Sequence, residues 1–112
     1  MQENDKPVLV YSTFPSAGAA EKAGEGLVEQ RLAACVNIIP GMTSIYRWEG
    51  KCQRDSEAIM IIKTRADLID AVIAEVKRMH AYSNPALLAV PLLGGSSDYL
   101  DWLMRETTAE PE

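Results

Sequence analysis

Between residues 31 and 51 the chain reads RLAACVNIIPGMTSIYRWEGK, and its apolar positions fall every second residue. Val36 and Ile38 alternate with Cys35, Asn37 and Ile39, and the pattern resumes over residues 44–48 after Pro40-Gly41 interrupts it. Period two is the signature of a strand, so one long, bent strand is expected here. Proline gives no hydrogen bond to a ladder and glycine accepts the backbone angles of a bulge, so this strand belongs at a sheet edge.

Elsewhere the pattern predicts a strand over residues 8–14 and a helix capped by Ser16 that runs to about Leu32. The helix's buried stripe is Ala20, Ala23, Leu27 and Val28, with Leu32 one turn on. Gly24 and Gly26 either let this helix approach a sheet closely or leave it frayed. A hairpin tip at Glu49-Gly50-Lys51 leads to a third strand over residues 54–64. Thr64 and Asp67 have capping-box spacing ahead of a second helix ending at His80, with Leu68, Ile69, Val72, Ile73, Val76 and Met79 as its apolar face. Residues 86–93 form a fourth strand containing Pro91, again an edge signal, and Tyr99, Leu100, Trp102 and Leu103 make a short amphipathic third helix. Residues 1–6 and 107–112 read as disordered tails of a single domain.

Strand, helix, strand, strand, helix, strand is the order of the ferredoxin-like split βαβ sandwich, an α+β fold with a four-stranded antiparallel sheet. In that fold the second and fourth strands are the edges, which is where the prolines fall. The strands are too uniformly apolar for a sheet with one wet face. A second copy of the chain is the simplest cover, and the third helix folded back across the face is the alternative.

At 112 residues the chain buries roughly two-thirds of its unfolded surface without covalent staples. A net charge of -5 disfavours nucleic acid as a partner. No run reaches the ~18 apolar residues of a membrane span, and the polar first residues lack the layout of a secretory signal, so a cytoplasmic address is expected. Cys35 reads as a small buried hydrophobe and Cys52 as exposed and incidental. With a single histidine, His80, and no phosphate-cradling glycine loop, no enzyme is expected.

The motifs LAACVNI, YRWEGK, E-x-x-x-x-I-K-T and D-Y-L-x-W-L, spread over roughly residues 8–105, resemble the CutA divalent-cation tolerance family. The resemblance implies a homotrimer whose sheets face a common centre. It also implies copper binding by a cysteine at the end of the first strand and paired histidines at the end of the second helix. Those positions hold Ser12, Met79 and His80 here, so only one of three donors is kept in kind, and any copper or other divalent cation is weakly bound and not required for folding. The chemistry of the residues alone makes His80 a helix C-terminal residue favourable to the dipole. Trp48, Glu57, Lys63 and Tyr82 map to inter-subunit clefts, where Glu57 and Lys63 either form a buried ion pair that fixes register or help bind a ligand. Two further functions compete with metal tolerance: a PII-like trimeric sensor with an effector in those clefts, and a structural scaffold.

Overall fold

The computed structural model describes residues 5–109. Strand β1 (Pro7–Phe14) leads to helix α1 (Ala17–Glu29), then to the long strands β2 (Cys35–Trp48) and β3 (Lys51–Arg65). Helix α2 (Ile69–Met79), strand β4 (Leu87–Pro91) and helix α3 (Ser97–Glu106) complete the chain. The sheet is antiparallel with order β2-β3-β1-β4, so the two proline-bearing strands are the edges. Among the described residues no helix is long and apolar enough to cross a membrane.

Alternation sorts the strand residues between two faces. Val10, Phe14, Met60 and Ile62 meet Ala20, Ala23 and Leu27 of α1 and Val72 and Val76 of α2 in one core. Gly24 is the point of closest approach: a β-carbon there would lie 2.6 Å from the Val36 Cγ2 and 3.3 Å from the Met60 sulfur. Of the two readings of this weak helix, close approach is therefore the correct one at Gly24. Ser16 caps α1 as expected, its hydroxyl accepting from the Ala19 amide at 3.1 Å.

The edge strand bends where Pro40-Gly41 stand, with the β2–β3 register shifting between Ile39 and Met42. Gly41 has φ +73 and nothing near its missing β-carbon, so backbone conformation and not space demands glycine there. At the hairpin tip both Glu49 and Gly50 have positive φ, the geometry of a tight two-residue turn matched to strand twist. The hairpin is longer than its sequence suggests. Strand β3 starts at Lys51 and not at residue 54, because the polar run Lys51 to Asp55 pairs with Ser44 to Trp48 across the ladder.

Several local expectations give way to long-range contacts. Helix α1 stops at Glu29 and not near Leu32, because Arg31 takes a left-handed conformation and the Leu32 amide turns back to the Leu27 carbonyl. Thr64 does not cap α2: its hydroxyl donates to the Leu32 carbonyl at 2.7 Å, tying β3 to the loop after α1. A 3-10 turn, Ala66–Leu68, precedes α2, and the Asp67 amide there is held by the Asp5 carboxylate at 3.0 Å.

The expected tails are in part folded. Asp5 is buried and pairs with Arg65 at 2.8 Å. Arg65 also donates to the Thr107 and Thr108 hydroxyls and the Met104 carbonyl, while the Ala66 amide donates to the Lys6 carbonyl. The other tail positions, residues 1–4 and 110–112, lie outside the described residues.

Lys63 and Arg65 sit on the sheet face opposite α1 and α2, and both are engaged by α3 and its C-terminus. The third helix thus covers one end of that face. Beyond its reach Leu88 (60 % exposed), Ile39 (47 %) and Val90 (42 %) flank Tyr11, Ile59 and Ile61 in an apolar field with no cover from the chain itself.

Candidate binding cleft

The expected metal donors are each committed elsewhere. Ser12 is fully buried on the helix-covered side of β1, and its hydroxyl donates to the Ala86 carbonyl at 2.8 Å. Met79 packs against α1, its sulfur 3.6 Å from where a Gly26 β-carbon would lie. His80 ends α2 in an extended conformation and stacks on Phe14 at 4.3 Å between ring centroids. Its Nδ1 accepts from the Tyr82 amide at 3.1 Å, and its Nε2 faces the Thr13 carbonyl at 2.7 Å. An amide can only donate and a carbonyl only accept, so the Nε2–H tautomer is set and neither ring nitrogen has a lone pair to spare. The three residues therefore do not fit a copper ion as they stand, and among the described residues no three His, Cys, Asp or Glu side chains gather into a metal-holding group.

The four expected cleft residues divide three to one. Trp48, Glu57 and Tyr82 line a single cleft of about 600 Å³, walled by the β2–β3 hairpin, by Tyr11 and Thr13 of β1, and by the loop after α2. The Tyr82 hydroxyl donates to Glu57 Oε2 at 2.8 Å. Partial burial first and this carboxylate second push the Tyr82 phenol up to about 12. Lys63 lies elsewhere and makes no ion pair with Glu57. It donates to the Tyr99 hydroxyl at 3.0 Å, which raises its pKa, and sits over that ring. Six residues along one strand separate the two by roughly 20 Å, so they do not pair within one chain.

Sequence reasoning missed Tyr11, Met42, Ser44 and Tyr46, which line the cleft with others of the hairpin. Register brings them in: Met42, Ser44, Tyr46 and Trp48 stand opposite Glu57, Asp55, Gln53 and Lys51, every second residue on one face. At the rim the Tyr46 hydroxyl donates to the Asp55 carboxylate, which raises the Tyr46 pKa. Period two was visible in the sequence, but the shift at Pro40-Gly41 decides which alternate set faces the cleft.

Residues 8–106 match the family model described as CutA1 divalent ion tolerance protein. The chain is 46 % identical over 110 residues to "Protein CutA, chloroplastic" of Arabidopsis thaliana, covering 96 % of this chain and 60 % of that protein's length. Among solved structures it is similar to the divalent cation tolerance protein of Thermus thermophilus, with TM-score 0.89 and 42 % identity over 91 % of this chain and 99 % of that one. The periplasmic divalent cation tolerance protein CutA of Archaeoglobus fulgidus has the same TM-score at 40 % identity, with coverage of 91 % and 99 %.

Proposed function

Since the chain belongs to the CutA1 divalent ion tolerance family, we propose that it is a non-enzymatic homotrimer of the cytoplasm that serves divalent-cation tolerance, copper among the ions. The observation that carries the assembly is the uncovered half of the sheet. Tyr11, Ile39, Ile59, Ile61, Leu88 and Val90 form an apolar field that α3 leaves bare, beside an edge strand whose backbone groups await partners. Three copies with these fields turned inward remove both liabilities at once. Sedimentation at low micromolar concentration is expected to give a trimer, and Leu88→Glu to break it up. A stable, folded single chain at that concentration would overturn the assembly.

Copper or another divalent cation binds weakly in this reading and is not needed for folding. His80 must leave two hydrogen bonds and a ring stack before either nitrogen could ligate, and serine is a poor replacement for a thiolate. Calorimetry with copper and zinc salts on the parent and on His80→Ala is the test. Equal copper affinity in the two proteins removes His80 from any ligand role, and metal-dependent refolding would contradict the reading.

A second reading, an effector-binding sensor of the PII-like kind, is favoured by one observation: Trp48, Glu57 and Tyr82 converge on a cleft large enough for a small molecule. A scaffold without ligands has no use for that convergence. Trp48 fluorescence against a panel of small molecules separates the two.

A further inference from the structure

One buried group joins the two ends of the chain. The Arg65 and Asp5 side chains are 9 % and 1 % exposed, and Arg65 Nη1 donates to Asp5 Oδ2 at 2.8 Å. The rest of the guanidinium belongs to the C-terminal end of α3. Its Nε donates to the Thr107 hydroxyl at 3.0 Å, and its Nη2 to the Met104 carbonyl and the Thr108 hydroxyl. Thr107 passes the hold on to the helix, its own hydroxyl donating to the Leu103 carbonyl at 2.9 Å.

Among the described residues Asp5 is the one carboxylate that Arg65 meets. A guanidinium cannot give up its proton, and it is costly to keep from water without a counter-charge. If Asp5 leaves, Arg65 must turn out to water, and its bonds to Met104, Thr107 and Thr108 go with it.

Helix α3 has little else within its own chain to hold it. Leu103 is its one buried residue, against four in α1 and two in α2. Residues 92–96, which join it to β4, form neither helix nor strand, and Leu93 there is fully exposed. The helix stands on the sheet face that other copies cover in the assembly proposed above, so its seating shapes the surface those copies meet.

We propose that the Asp5–Arg65 pair is a latch on the assembly. With Asp5 in place, α3 is fixed in the form that other copies pack against; displacing Asp5 frees α3 and loosens the contact between copies. By linkage, assembly in turn holds Asp5 in. The pair is buried by its own chain, and α3 carries its state to the neighbouring copies. This inference rests on the homotrimer reading.

The test is subunit exchange between isotope-labelled and unlabelled protein, followed as mixed assemblies by native mass spectrometry. Asp5→Asn, which keeps the shape and removes the charge, is expected to speed exchange at least about tenfold. Thr108→Val, at an exposed position of the same network, should speed it about threefold. Ile62→Ala, buried on the opposite face, weakens the fold without touching the latch and should leave exchange within about twofold of the parent. Added to Thr107→Val and Thr108→Val, Asp5→Asn should have little further effect, because the path through α3 is already cut.

Circular dichroism establishes that each variant is folded, and Thr108→Val decides the matter should Asp5→Asn not fold. The proposal is overturned by unchanged exchange in the latch variants, by an equal acceleration in Ile62→Ala, or by additive effects in the combined variant. If the parent sediments as a folded single chain, the homotrimer reading fails and this inference with it. If the parent is a trimer whose exchange the latch variants do not move, the latch alone fails.

Discussion

The two faces of this sheet are built from the same strands and the same kinds of residue, yet they solve different problems. On one face Val10, Phe14, Met60 and Ile62 are sealed under α1 and α2. On the other, Leu88, Ile39 and Val90 are exposed, and only the end bearing Lys63 and Arg65 is roofed by α3. Apolar strand residues alone do not locate a core. What distinguishes the faces is whether the chain's own helices reach, and the 10 residues of α3 are too few for a 15-residue strand.

The strongest way to break the contrast is at the roofed end of the open face. Asp5→Ala leaves the buried Arg65 guanidinium without its carboxylate, a loss of about 3–5 kcal/mol that chemical denaturation would measure. It also frees the Asp67 amide. A near-neutral result would mean that the two chain ends are not held through this pair.

On the covered face, Ile62→Ala empties a fully buried position and should lower stability by about 3 kcal/mol. Leu88→Ser on the bare face should change the stability of a single chain by less than about 0.5 kcal/mol while weakening self-association. Similar costs from both substitutions in a monomeric state would erase the distinction between the faces.

Gly24→Ala sharpens the account of how α1 seals its face. Alanine is the better helix former, yet its β-carbon meets Val36 and Met60, so a net loss of about 1–2 kcal/mol is expected. The same exchange at Gly18, where only the Ser16 hydroxyl is near at 4.0 Å, should stabilise or be neutral.

The smallest effect concerns pH. The Tyr82 phenol is raised in the folded chain from its ordinary 10 to about 12, so the folded state favours the protonated form. Its contribution to stability is complete below pH 10 and is lost as the pH rises through about 12. Ultraviolet titration of the phenolates should show Tyr46 and Tyr82 ionising late, and Glu57→Gln should bring Tyr82 earlier without restoring the ordinary value, because partial burial is the larger cause.

Much of this architecture was legible in the chain itself. Pro40 and Pro91 marked the edge strands, Pro40-Gly41 marked the bend, and the order of elements gave the sheet order. Those signals are local: each depends on what one or two residues permit their own backbone to do. The apolar excess of the strands was equally visible, since it is a count.

Only the tertiary structure decided which groups meet. Thr64 and Asp67 carry the spacing of a helix cap, but one hydroxyl reaches Leu32 and the other residue's amide reaches Asp5. His80 carries the chemistry of a ligand, but its two nitrogens belong to Thr13 and Tyr82. A polar atom that leaves water takes whichever partner the fold brings within about 3 Å. That partner can lie 62 residues away, as Asp5 does from Asp67, and no pattern along the sequence encodes it.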